Sequence, residues 1–377
     1  MIAREWTRIG CIGFGGPPTH IALLRRLCVT DRRWLAAGEF EDGIAATNLL
    51  PGPASTQLSI YCAWRLRGVP GALIGGFCFI VPGLVLILAL AALFLSSHPP
   101  PAVRGAAAGA GAAVAAVALN AALGLLPASW RRAGAGRGPR SRWALYAACG
   151  AAAAATVGPF LVLVLLAAGL VEVGARGGHR PAPALHSVAV VPLLAVLAVG
   201  GIGALAWEAF KVGALSYGGG FVIIPLMQTD VVHTYHWMSG AQFLNAVALG
   251  QITPGPVVQT VAVVGYAAAG LGGGLLASLI AFAPSFAFVL LGGPHFDRLR
   301  GNRAVQAFLG GAGPASIGAI AGSAIPLGLA LSHLWQVGVL AAALIWMLAL
   351  RRNVVVGLVA AALVGVLVSL LGVPVGG

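Results

Sequence analysis

Residues 44–57 read IAATNLLPGPASTQ, and residues 247–259 read VALGQITPGPVVQ. In each, a Pro-Gly-Pro triplet falls inside an apolar run that would otherwise form one helix. Proline removes a backbone donor and clashes with the preceding turn, while glycine admits conformations other residues avoid, so the helix breaks there. If the run lies in a bilayer, its freed backbone groups are tolerated only where protein or a water-filled cavity satisfies them.

The composition around these triplets makes the bilayer the expected solvent. Of 377 residues, 59% are hydrophobic and 8% are charged, and mean hydropathy is +0.95. Soluble domains are typically about 25% charged, so a water-facing surface is excluded and an integral, multi-pass membrane protein is expected. A crossing helix needs about 20 apolar residues, which limits the chain to roughly a dozen crossings. The net charge of +13 comes from cations of which 21 of 22 are Arg, most in short gaps between apolar stretches. That excess encodes orientation, and nucleic acid is not among the expected partners. Cys11, Cys28, Cys62, Cys78 and Cys149 stand singly in or beside apolar segments, with no C-x-x-C pair and no disulfide framework. The N-terminus lacks the pattern of a cleaved signal.

Outward from the triplets, the chain repeats itself. At an offset of 203, Glu5 falls on Glu208, Gly10 on Gly213, Trp34 on Trp237, Phe40 on Phe243, and Pro51-Gly52-Pro53 on Pro254-Gly255-Pro256. After one deletion the offset is 202, matching Gln57 with Gln259, Gly68 with Gly270 and Pro82 with Pro284. The reading is an N-terminal unit over residues 1–180, a connecting transmembrane helix over 187–207, and a C-terminal unit over 208–377. The expected fold is all-α and polytopic, with discontinuous or re-entrant helices.

Breaks are expected in residues 4–29 at Gly13 to Pro18, in 42–64 at Pro51-Gly52-Pro53, and in 143–173 at Gly158-Pro159. Residues 71–95, kinked at Pro82, and 102–126 are expected to span. Arg25, Arg26, Arg32 and Arg33 precede the first Pro-Gly-Pro and Arg65 and Arg67 follow it, so that segment reads as leaving on the side it entered. A simple kink is the plainer alternative. The loop at 131–142, with five Arg, and Arg176 and Arg180 are then cytoplasmic; the gap near His98 is exterior. In the second half the signs exchange. Asp31-Arg32-Arg33 becomes Thr234-Tyr235-His236, Arg65 and Arg67 become Ala267 and Ala269, and the gap near His98 becomes Arg298, Arg300 and Arg303. Arg351-Arg352 replaces Gly158-Pro159. Four matched loops swapping together predict inverted-topology repeats.

Inverted repeats with helices broken at midplane are a transporter architecture, with substrate held between the repeats. A half-helix starting inside the membrane offers free N–H groups and a positive dipole end, which suit anions. The candidate substrate-binding residues are Gly15, Gly16, Pro17, His20, Asn48, Pro51, Gly52, Pro53 and Gln57, then Ser216, Gly218, Gly219, Gln251, Thr253, Pro254, Gly255, Pro256 and Gln259. Thr47, Ser55, Thr56, Tyr217 and Thr260 lie among them. The set is rich in donors and nearly free of carboxylates; its nearest one, Asp42, is Asn245 in the second half. A fully ionised tetrahedral oxyanion accepts hydrogen bonds and donates none, so a sulfate-like dianion fits better than a protonated phosphate.

Phe14-Gly15-Gly16-Pro17 with His20, then Trp34, then Asn48-Leu49-Leu50-Pro51-Gly52-Pro53 with Gln57, resemble the signature of the chromate ion transporter family. Tyr217-Gly218-Gly219-Gly220, Trp237 and Thr253-Pro254-Gly255-Pro256 resemble that family's C-terminal domain; Gly220 departs from it, standing where Pro17 stands in the first half. The resemblance covers nearly the whole chain. It implies a two-domain member that exports chromate across a bacterial-type plasma membrane and confers chromate resistance, with sulfate as the natural look-alike. The partners so implied are the oxyanion and the lipid bilayer, with a homodimer left open. No cofactor is called for.

Other signals are weaker. His233 and His236 have metal-like spacing but no third ligand, so no metal is expected. Glu208 and Lys211, matched by Glu5 and Arg8, form an i,i+3 pair with either an orienting or a coupling and gating role. Glu172 reads as interfacial, Trp34 and Trp237 as belt residues, and Glu39 and Glu41 as capping a helix start. Gly-Ala runs such as 105–118 suit close helix packing. The competing classes are a passive anion channel, which would pass current without saturation, and a membrane enzyme acting on a lipid phosphate. The latter lacks the clustered acid, base and nucleophile such chemistry needs, and no enzyme is expected.

Overall fold

The computed structural model describes every residue except 49, 97, 135, 157–160, 177–200, 217–220, 294–300 and 376–377. Gly158-Pro159, Arg180, most of the connecting segment, Tyr217, Gly218, Gly219, Gly220, Arg298 and Arg300 therefore lie outside the described residues, as does Leu49. The regular elements among the described residues are all helical. In the first half they are α1 (Ile2–Ile12), α2 (Pro17–Arg25), α3 (Ala37–Thr47), α4 (Ala54–Phe94), α5 (Pro101–Ala112), α6 (Val114–Arg132), α7 (Arg137–Thr156) and α8 (Leu161–Arg176). In the second they are α9 (Gly201–Leu215), α10 (Ile223–Thr229), α11 (Gly240–Ile252), α12 (Thr260–Gly292), α13 (Arg303–Leu329), α14 (Leu334–Leu344) and α15 (Val354–Leu370). Four helical stretches, Ala54–Phe94, Pro101–Arg132, Val257–Gly292 and Arg303–Leu329, are long and apolar enough by length and composition to cross a membrane. Their outward faces carry exposed Leu, Val, Ile and Phe, as lipid contact requires. The chain is an integral membrane protein.

The helices stop where backbone chemistry stops them. α1 is amphipathic, burying Glu5, Trp6, Ile9 and Gly10 while Arg4 and Arg8 face outward. It ends before Gly15 and Gly16, both at positive φ, and α2 restarts with Pro17 and Pro18 in its first turn, where a missing N–H costs nothing. α3 and α4 flank Pro51-Gly52-Pro53, with Gly52 at φ 110°. Glu39 at the start of α3 pairs with Arg65 on α4, and Arg25 binds Glu41 at 2.7 Å. Both acidic residues are thus held by arginines, and neither caps α3, whose N-cap is Ala36. The Glu39–Arg65 pair sets the two outer ends of the α3–α4 hairpin side by side.

Neither long helix is straight. α4 leaves helical geometry at Arg67 and Gly68, and α12 does so at the matched Ala269 and Gly270, where the glycines take φ 59° and 63°. In each case the chain doubles back, so Gly71 lies on the Ala63 carbonyl and Gly273 on the Gly265 carbonyl. The sharp reversal sits at these glycines. Pro82 lies farther along, inside the helix.

The halves exchange their later helices. α5 packs on α15, and α13 packs on α7 and α8. A Cβ on Gly109 would run into the Ala361 carbonyl, and one on its match Gly311 would run into the Ala168 carbonyl. α4 and α12 cross at the centre, with α1 against α4 and α9 against α12. Glu172 is buried on α8, bound by Arg142 at 2.9 Å, Arg176 at 2.6 Å and Tyr146 at 3.1 Å. Those partners let a carboxylate read as interfacial sit inside. Trp34 is half-buried and stacked on Trp6, and Trp237 is stacked on Tyr235, so both pack on protein.

Candidate functional site

Two breaks meet at one carbonyl. The Gly13 carbonyl at the end of α1 accepts from His20 Nε2 at 2.9 Å and from the Gly255 N–H of the other half at 3.0 Å. A carbonyl only accepts, so Nε2 carries a proton, while Nδ1 pairs with the Ser55 hydroxyl at 3.3 Å. His20 is a fully buried linker with Phe79 edge-on against its ring. Gly16 approaches Val257, so the first break of one half touches the second break of the other.

The reciprocal junction lies beside it. A Cβ built on Gly52 would stand 3.1 Å from the Gly213 carbonyl oxygen and 3.5 Å from the Ser285 hydroxyl. Gln57 Nε2 donates to the Pro51 carbonyl at 2.6 Å, and Gln259 Nε2 donates to the Ile80 carbonyl on α4 at 2.7 Å. Gly83 lets the Pro254 carbonyl and Gln259 pass close to α4. The sequence reading gave both glutamine amides to the ligand as donors. Here each amide nitrogen bonds a backbone carbonyl, and each Oε1 is buried without a partner.

Those two oxygens belong to a larger set. Thr56 Oγ1, Ser59 Oγ, Ser216 Oγ, Ser285 Oγ and Gln251 Nε2 are also buried without a hydrogen-bond partner. A buried polar group left unpaired costs about 1–3 kcal/mol, so a concentration of them on the segments around the two Pro-Gly-Pro triplets marks a polar site in an apolar molecule. The polarity is lopsided. Ser55, Thr56 and Ser59 match Val257, Val258 and Val261, and His20 matches Ile223. Thr253 is also buried, but its hydroxyl is spent on the Leu249 carbonyl at 2.8 Å. Asn48 is exposed and Gly15 lies at the surface, outside the buried set. Ser59, Gly83, Gly213 and Ser285 were absent from the sequence reading. The last two could have been reached through the matched Gly10–Gly213 and Pro82–Pro284 positions.

Two cavities abut the helices that run into the Pro-Gly-Pro triplets. One, of about 450 Å³, is lined by Ala45 on α3, Ser129 and Arg132 on α6, and Gln306, Gly310 and Gly313 on α13. The other, of about 260 Å³, is lined by Asn245 on α11, Ala330, and Arg104, Ala108 and Gly111 on α5. Gln306, Gly310 and Gly313 are the matches of Arg104, Ala108 and Gly111, so the cavities occupy equivalent places in the two halves. The matched positions beside them differ in exposure. Asp42 on α3 and Asn48 just beyond it are exposed; on α11 their matches Asn245 and Gln251 are buried, with Asn245 against Gly111.

A second polar group lies at the start of the second half. Lys211 on α9 donates to Glu208 at 2.7 Å and to Asp230 at 2.5 Å. Asp230 is a member the sequence reading missed, because its match in the first half is Leu27. Glu5 is held by Arg32 at 2.7 Å and lies 4.0 Å from Arg8. Among the described residues there is no cluster of three metal-ligating side chains.

Residues 1–173 and 203–366 match the family described as Chromate transporter. The chain is 31% identical to the chromate transport protein of Cupriavidus metallidurans over 337 residues, covering 87% of this chain and 82% of that protein. It is 27% identical to the probable chromate transport protein of Synechococcus elongatus, covering 92% and 90%. To the chromate transport protein of Pseudomonas aeruginosa it is 28% identical, covering 87% and 80%. No solved structure matches the chain.

Proposed function

Because the chain belongs to the chromate transporter family, we propose that it carries chromate, a sulfate-like tetrahedral oxyanion, out of the cytoplasm by alternating access, and so confers chromate resistance. The observation that carries this reading is the group of unpartnered buried hydroxyls of Thr56, Ser59, Ser216 and Ser285, on the segments that meet at the breaks of both halves. A dianion leaving water faces a large desolvation penalty unless fixed donors replace its hydration. Uncharged hydroxyls and backbone N–H groups can do so while still letting the ion leave, since none of these hydroxyl-bearing residues carries a charge that would hold it. Sulfate has the same shape and charge, and sulfate or another oxyanion as the physiological cargo, carried or passed through a channel, is the alternative.

The exchange of loop charges between the halves supports inverted repeats, and equivalent cavities on both support alternating access. With the arginine-rich loop at 131–142 on the cytoplasmic side, the larger cavity beside Arg132 opens inward and its smaller match opens outward. The test is chromate uptake into inside-out vesicles, with and without excess sulfate or chloride. Uptake is expected to saturate and to be competed by sulfate and not by chloride. Absence of uptake, with the protein present in the vesicles, would contradict the proposal.

A further inference from the structure

Glu208, Lys211 and Asp230 form a buried group that the oxyanion site does not use. Their exposures are 0%, 3% and 8%. Two carboxylates share one ammonium, so the fully ionised cluster carries a net negative charge where burial penalises it. Lys211 bonds one oxygen of each carboxylate, and Thr234 donates to the other oxygen of Asp230 at 3.4 Å. Glu208 Oε2 is buried with no partner. It is the one carboxylate oxygen of the cluster with a free position for a proton, and a proton there brings the cluster to neutrality.

The matched group in the first half is built differently. Glu5 faces two guanidiniums, Arg8 and Arg32, whose side chains are 72% and 49% exposed. Arginine stays charged at any accessible pH, so that carboxylate keeps a fixed counter-charge in contact with water. The second half replaces this with the only lysine of the chain and a second acid.

Its placement gives a proton leverage. Lys211 is on α9, which leads into the second-half break, and Asp230 follows α10, which leads out of it. The Lys211–Asp230 bond thus clasps the two segments flanking that break, and Gly213, two residues beyond Lys211, supplies the carbonyl that faces Gly52. The groups around the cluster are few. α12, packed along α9, contributes no charged side chain among its described residues, and α10 none before Asp230. On the loop side stand exposed His233 and half-buried Tyr235, whose phenol is pushed up by burial and then by the charges of Glu208 and Asp230. That loop is the one the charge pattern places outside.

We propose that the Glu208–Lys211–Asp230 cluster is a proton-binding site that couples oxyanion movement to proton movement, taking up one proton on Glu208 Oε2 from the exterior side and loosening the clasp across the break. This rests on the transport reading above. The test uses the full chain in sealed lipid vesicles loaded with radiolabelled chromate at alkaline pH, where chromate is fully ionised, with a pH dye reporting protons. Chromate leaving down its gradient is expected to drive protons the opposite way. Glu208→Gln is expected to abolish that proton movement and to flatten the pH dependence of flux, while chromate–chromate exchange persists. Asp230→Asn serves as a second variant should Glu208→Gln fail to reach the membrane. Wild-type chromate flux without proton movement, or proton movement retained in Glu208→Gln, would overturn the coupling site and leave transport standing. Absence of any wild-type chromate flux would instead bring down the transport reading and the coupling with it.

Discussion

At the residue scale, the Gly13 carbonyl joins the halves, accepting from its own half through His20 and from the other half through Gly255. Its neighbours have no spare volume. Gly255 sits at φ 99°, a region that costs other residues energy, and a Cβ there would stand 3.2 Å from Gln259. Gln259 in turn ties the second-half break to α4 through the Ile80 carbonyl. Removing its amide leaves that buried carbonyl one partner short, while Gln57→Ala removes a bond confined to its own break at Pro51. Both substitutions are expected to weaken chromate affinity, each by about 1–3 kcal/mol, with Gln259→Ala the larger because its bond joins the halves. Gly255→Ala is expected to do more harm than either. The check is transport affinity at matched membrane expression. A double glutamine variant with normal affinity would move the anion away from these breaks.

Elements hold together here by close backbone contact. In α13 the glycines at 311, 318 and 322 lie directly on carbonyls of α8 and α7, and Gly105 and Gly109 of α5 lie on α15. Small residues are what allow membrane helices to approach this closely. Gly338 on α14, by contrast, has open space where a Cβ would go. Gly311→Ala is therefore expected to cost about 1–3 kcal/mol through overpacking. Gly338→Ala is expected to gain up to about 1 kcal/mol from helix propensity. Thermal unfolding in one detergent should give shifts of opposite sign. Equal shifts would mean that α13 does not pack as described.

Much of this architecture is legible from proline and glycine, since both act on the backbone without a partner. Gly15, Gly16 and the two Pro-Gly-Pro triplets mark their breaks in sequence for that reason. The reversals at Gly68 and Gly270 are less legible, because a lone glycine in a helix becomes a turn only when the returning helix packs on it. Pro82, where a kink is expected, lies inside its helix. At the site, the hydroxyls of Thr56 and Ser216 follow from adjacency to the breaks. Ser285 is brought in by the crossing of α4 and α12, and Asp230 by the return of the chain after α10. Neither contact leaves a spacing to read.

At the scale of the whole molecule, two equivalent vestibules are expected to open in turn onto one site. Asp42 and Asn245 are matched positions on α3 and α11; the first is exposed and the second is buried. The most direct measurement places a single cysteine at each position, in a protein whose native cysteines have been replaced, and follows labelling by a membrane-impermeant thiol reagent from each side, with and without chromate. Without chromate, position 42 is expected to react from the cytoplasmic side and position 245 to react slowly. Chromate, by driving the carrier through its cycle, is expected to slow the first and to speed the second, from the exterior side. Labelling of both positions from the same side, or changes in the same direction on adding chromate, would contradict the account.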